Sequence, residues 1–220
     1  MSALPRIALI HATPLAIDPI ADAFRVHWPA CDVQNLLDDT LSKDLAASGS
    51  LDQVMIDRFR TLGRYAANTG ADGILFTCSA FGKAIEIVAE ELSSMPVLKP
   101  NEAMFAEALA MGGKMALLAT FAPSIPSMRE EFEEMSTGSD VELSCHVVDG
   151  AMPALAAGDG TRHDALIAET ACALTPPDAV MLAQFSMARA AAAVARATNL
   201  PVLTSTVSAV HALKTKIEGN

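Results

Sequence analysis

The chain has 220 residues, 51% of them apolar and 19% charged, with a formal net charge of −11. That composition permits a large core, excludes a disordered chain and argues against a nucleic-acid or anionic-membrane surface. There is no bilayer-length apolar run, no charged-then-apolar leader pattern, and no zinc or disulfide spacing among the single cysteines Cys31, Cys78, Cys145 and Cys172, so the sequence predicts a soluble, cytoplasmic protein.

Arg6–Ala12 is an apolar run and reads as the first strand. Thr13-Pro14 then opens a helix that reaches about Val26, with Pro14 suited to its start. Asp32–Leu37 reads as the second strand and ends in the acidic turn Asp38-Asp39-Thr40. Leu51–Asn68 is amphipathic and predicts a helix, stopped by Gly70. Ile74-Leu75-Phe76 reads as a short buried strand ending in Thr77-Cys78-Ser79, followed by a helix from about Gly82 to Leu92. Met95–Leu98 is a short strand. Asn101 reads as the cap of a helix over Glu102–Met111, which ends at Gly112-Gly113.

A second set follows. Lys114–Thr120 reads as strand and Pro123–Met135 as mostly helix, with Glu130, Glu131, Glu133 and Glu134 on a solvated face. Val141–Val148 reads as strand, Asp164–Leu174 as helix, Asp178–Ala183 as strand and Ser186–Thr198 as an Ala-rich helix. Pro201–Leu203 is the last strand and Ser205–Ile217 the last helix. Alternating strands and helices predict an α/β fold with parallel sheets and right-handed crossovers.

The two sets look like copies. Ala8–Pro14 matches Ala116–Pro123 with a gap of one, and Asp32–Asp39 matches Val141–Asp149. Ala71–Cys78 matches Pro177–Gln184, and Pro96–Leu98 matches Pro201–Leu203, in the same order. A duplication predicts two Rossmann-like lobes related by a pseudo-twofold axis, over residues 1–112 and 113–220, with a terminal helix able to cross over. Cys78 and Gln184 then become counterparts across one cleft.

Cys78 ends a strand where a helix begins. Free backbone N–H groups and the positive end of a helix dipole there favour anions and depress a thiol pKa. The alternative is a buried structural cysteine. Thr13, Thr77, Ser79, Thr120, Gln184, Phe185 and Ser186 lie at the matching strand ends and are candidate substrate contacts. Thr13, Ser79 and Ser186 also suit helix caps. His11 closes the first strand as a base, an anion donor or a structural histidine. His27, His146 and His163 have no motif around them, and His211 is too far along its helix. Lys99 reads as a surface lysine or, alternatively, as a contact to a carboxylate. Phe81 and Phe185 read as near-equivalent apolar residues, either a wall over the substrate or core.

These strand ends, taken with the duplication, resemble the aspartate/glutamate/hydantoin racemase superfamily, which includes maleate isomerase and arylmalonate decarboxylase. The residues that carry it are His11-Ala-Thr13, Thr77-Cys78-Ser79, Leu118-Ala-Thr120 and Gln184-Phe-Ser-Met187. The resemblance implies two α/β lobes with the active site between them, and proton transfer without metal or cofactor. In the racemases two cysteines face each other across the substrate. Cys78 matches the first; the stretch resembling the second reads Gln184-Phe185-Ser186-Met187, so the second thiol is replaced. The resemblance therefore implies an isomerase of racemase type acting next to a carboxylate through Cys78. A single-thiol decarboxylase or lyase of a malonate-like acid, or a non-catalytic carboxylate-binding protein, are the other readings. The implied partner is a small carboxylic acid. The Ala-rich helix Ala188–Ala197 offers a close-packing face to another helix or a second subunit.

Overall fold

The computed structural model describes residues 4–219. The first half contains β1 (Arg6–His11), α1 (Ile17–His27), β2 (Asp32–Leu37), α2 (Leu41–Ser48), α3 (Gln53–Asn68), β3 (Gly73–Phe76), α4 (Gly82–Glu91), β4 (Val97–Leu98) and α5 (Glu102–Met111). The second contains β5 (Lys114–Ala119), α6 (Ile125–Met135), β6 (Glu142–Val147), α7 (Ala151–Ala156), α8 (Gly160–Ala173), β7 (Ala179–Leu182), α9 (Ala191–Thr198), β8 (Val202–Thr204) and α10 (Ser205–Glu218). The strands form two four-stranded parallel sheets, ordered β2-β1-β3-β4 and β6-β5-β7-β8.

The order repeats because the local chemistry repeats. The Asp72 carboxylate accepts the Arg6 N–H at 2.8 Å, and the Asp178 carboxylate accepts the Lys114 N–H at 2.7 Å. Each aspartate thus ties the start of its sheet's third strand to the start of the first. Ile10 pairs with Phe76, and Leu118 with Leu182.

Both sheets are covered on both faces, which parallel sheets require. On the first, Ile7, Leu9 and Leu75 pack against Ile20 and Phe24 of α1 and Ala209, Val210 and Leu213 of α10. Its other face, with Ile10, Ile74 and Phe76, packs against Phe59 of α3 and Ile85 and Val88 of α4. On the second, Met115, Leu117 and Met181 meet Met104 and Phe105 of α5 and Met128 and Phe132 of α6. Helix α5 follows the first sheet in the chain yet covers the second, while α10 follows the second yet covers the first. This exchange holds the halves together.

Four details differ from expectation. Helices α2 and α7 are additional. Asn101 does not cap α5: it is fully buried, and its side chain makes no capping bond. Glu131 is buried, not solvated, because its position faces inward with Met128 and Phe132 on α6. Lys99 is no surface lysine, since its side chain is only 15% exposed and pairs with Glu86 and Glu131. No helix among the described residues is long and apolar enough to cross a membrane.

Candidate functional site

Phe59 stacks against Phe76 with ring centroids 5.3 Å apart and meets Phe81 in a tilted pair at 4.7 Å. These rings fix the end of β3 and the 3-10 turn Ser79–Phe81 that follows Cys78. Removing one such ring from a core costs about 3–5 kcal/mol. Gly82 then opens α4 against α6, and its N–H donates to Ser127 Oγ at 3.3 Å. A Cβ at position 82 would lie 2.9 Å from that oxygen, so a side chain there would make Ser127 turn away.

Cys78 faces a cavity of about 50 Å³ between the two halves. Thr13, Ala16, Ser42, Thr77 and Ser79 line it with Cys78 from the first half, and Phe121, Met152, Gln184 and Phe185 from the second. Water occupies about 30 Å³ in the liquid, so the cavity is small. Ser42 on α2 and Met152 on α7 hold the same place in their halves: each is the fifth residue after the strand residue paired with His11 or Ala119, Leu37 or Val147. The two short helices therefore cover the cavity symmetrically. Neither Ser42 nor Met152 was legible as a candidate in the sequence.

Cys78 and Gln184 are true counterparts by register, each two residues beyond the paired Phe76 or Leu182. The same register makes Phe185 the counterpart of Ser79, not of Phe81. Phe185 lines the cavity, whereas Phe81 is core.

The expected thiol depression is not what the surroundings give. Burial pushes the Cys78 thiol up, and the Ala80 N–H and the Ser42 hydroxyl, 3.9 Å from Sγ, offset this only in part. The helix start follows a 3-10 turn rather than meeting the sulfur directly. The thiol is thus held in its protonated form.

Opposite it, the Gln184 amide is committed to its own half. Its Oε1 accepts from the Thr120 N–H at 2.7 Å and from the Thr120 hydroxyl at 3.3 Å, while its Nε2 donates to Ser124 Oγ at 2.9 Å. Thr120 therefore stands behind Gln184 and does not line the cavity. Thr13 lines the cavity and, as expected of a cap, accepts the Leu15 N–H at 3.4 Å. His11 is fully buried behind Thr77 and also does not line the cavity. Ser186 lines a separate groove of about 490 Å³ that runs between α1 and Arg189 and holds no thiol. Among the described residues no cluster of three or more His, Cys, Asp or Glu side chains is placed to hold a metal.

Solved structures share this architecture. An aspartate racemase from Picrophilus torridus aligns with a TM-score of 0.74 at 14% identity, covering 97% of this chain and 94% of its own. A glutamate racemase from Bacillus anthracis gives 0.76 at 11% identity, over 99% and 83%. A Gly74Cys mutant of arylmalonate decarboxylase gives 0.69 at 18% identity, over 98% and 94%. No curated protein matches the sequence. The family model described as Asp/Glu/Hydantoin racemase matches residues 41–213, a span running from α2 through the cysteine turn and the whole second sheet to α10. With the paired sheets and the cavity between them, this places the chain in the Asp/Glu/hydantoin racemase family.

Proposed function

We propose that the protein is an enzyme that transfers a proton at the carbon next to a carboxylate, with Cys78 as the acid/base and no cofactor. The observation that carries this reading is the position of Cys78. It is the one side chain with an accessible pKa among those lining the cavity, and the remaining polar lining is hydroxyls and an amide. A thiol held protonated by burial suits the acid step. The developing charge on an enediolate meets the Thr13 and Ser79 hydroxyls and the backbone N–H groups after Cys78, which act as preorganised donors. Phe121, Met152 and Phe185 exclude water on the other side.

Gln184 favours a second reading. Its amide is bonded at both ends and is neither an acid nor a base near neutral pH, so the chemistry is one-sided. Decarboxylation of a malonate-like acid releases CO₂ and leaves an enediolate that needs a single proton from a single face. Cys78 would supply that proton, and solvent would restore it to the thiolate.

Incubation with a panel of small carboxylic acids in D₂O, read by NMR with CO₂ trapping, tests both. Deuterium at the α-carbon without CO₂ supports the isomerase reading, and deuterium with CO₂ the decarboxylase. Turnover that survives Cys78→Ala overturns both. Binding of an acid with no turnover leaves a carboxylate-binding protein.

A further inference from the structure

A buried hydrogen-bond chain leads from the protein surface to the cavity wall. The His11 Nε2 lies 2.8 Å from the side-chain oxygen of the exposed Asn35, and His11 Nδ1 lies 2.8 Å from Thr77 Oγ1. Thr77 lines the cavity beside Cys78. Oxygen Oδ1 of Asn35 can only accept, so Nε2 carries the proton and Nδ1 is left as an acceptor. The Thr77 hydroxyl then donates to Nδ1. Its longer alternative, the Ile10 carbonyl at 3.4 Å, also points away from the cavity. The shorter bond to His11 takes the Thr77 proton, and the cavity meets its oxygen lone pairs.

The second half has no such chain. By register, Ala119 stands where His11 stands and Ala183 where Thr77 stands. The second sheet thus forms without such a chain. Burial holds His11 below its ordinary pKa, and the Asn35 bond only partly offsets this, so the ring stays neutral.

We propose that Asn35 and His11 are positioning residues that fix Thr77 as a hydrogen-bond acceptor, and that the substrate therefore carries an O–H or amide N–H beside its carboxylate. This deepens the proposed function by naming the substrate class for the same site. An ammonium group fits less well, because no ionised carboxylate among the described residues lines the cavity to balance it. The hydroxyls of Thr13 and Ser79 remain free to donate to the carboxylate.

The test needs no turnover, so it stands apart from the role of Cys78. Nitrogen-15 NMR of histidine-labelled protein, with the His11 signals assigned by a His11→Gln variant, is expected to show Nε2–H and an unprotonated Nδ1. An Nδ1–H tautomer overturns the proposal. Glycolate and acetate, a pair small enough for a cavity of about 50 Å³ that differs by one hydroxyl, are then compared by calorimetry. Glycolate is expected to bind about tenfold tighter, the worth of one good hydrogen bond, and Thr77→Val should erase the difference. In the exposed Asn35→Asp variant the carboxylate favours the imidazolium, whose Nδ1–H donates to Thr77. Only the long contact to the Ile10 carbonyl then holds the Thr77 proton inside, so the preference for glycolate should shrink. Glycolate binding no tighter than acetate to the wild type, or an unchanged preference in Asn35→Asp, overturns the proposal.

Discussion

Cys78 and Gln184 hold one register position in two sheets but are bound in opposite ways. The thiol meets only the Ser42 hydroxyl, at 3.9 Å, and the Ala80 N–H, while the amide is fastened to Thr120 and Ser124. Gln184→Cys tests what that asymmetry does. It removes the acceptor of the Thr120 N–H, and stability is expected to fall by about 1–3 kcal/mol in urea unfolding. It also puts a titratable group on the second face. Under the proposed function the variant should invert a single enantiomer with uptake of solvent deuterium, and adding Cys78→Ala should abolish this. A stable Gln184→Cys protein that exchanges without inversion would remove position 184 from the proton path.

Alkylation of Cys78 reports its environment directly. The thiolate is the nucleophile, and burial holds the thiol above its ordinary pKa. The rate should therefore rise with a midpoint more alkaline than that of an unperturbed cysteine, followed by intact mass and peptide mapping. Ser42→Ala removes a hydrogen bond that favours the thiolate and should move the midpoint further up. A midpoint below that of free cysteine would mean that the helix start, not burial, governs the sulfur.

The doubled strand order was legible because each half repeats its own punctuation, such as Asp72 and Asp178 before the third strand. The strand-end residues were legible for the same reason. What closes the cavity was not. Helix α2 has only Leu41 and Leu45 as core positions, and α7 is six residues long with Pro153 inside it, so neither carries enough turns for periodicity to declare itself. Their contributions, Ser42 and Met152, come from folding, not pattern. Glu131 is different. It falls three residues after Met128 and beside Phe132, so its inward direction follows from helical phase, but the surrounding glutamates mask it.

That inward carboxyl makes stability depend on pH. Burial pushes Glu131 up to about 7, against the pull of Lys99 at 3.3 Å, while Glu102 and Glu86 push it further up. A carboxyl raised on folding stabilises the folded state while it is protonated. That contribution is intact below the unfolded value near 4.5 and is lost as pH rises through about 7. Glu131→Gln cannot ionise. Its urea midpoint should therefore fall less than that of the wild type between pH 5 and pH 8. Parallel curves would show that Lys99 keeps the carboxylate charged throughout.

Arg58 sets how firmly α2 covers Cys78. From α3 its guanidinium bonds the Asp38 carboxylate and the Thr40 hydroxyl ahead of α2, and its Nη1 bonds Asp44 within α2 at 2.6 Å. Burial pushes Asp38 up, but the bonds from Arg58 and Thr40 outweigh it and leave the carboxyl below its ordinary value. The stabilisation is therefore present above the ordinary carboxylate range and is lost as pH falls. Arg58→Met should cost about 1 kcal/mol at neutral pH, since these pairs are partly exposed, and the difference from wild type should shrink on acidification. The larger expected effect is local. Amides of residues 40–49 should exchange faster with deuterium, and Cys78 should alkylate faster, because the helix bearing Ser42 lifts more often. Unchanged exchange there, with Cys78 still slow, would place the opening at α7 and Met152 instead.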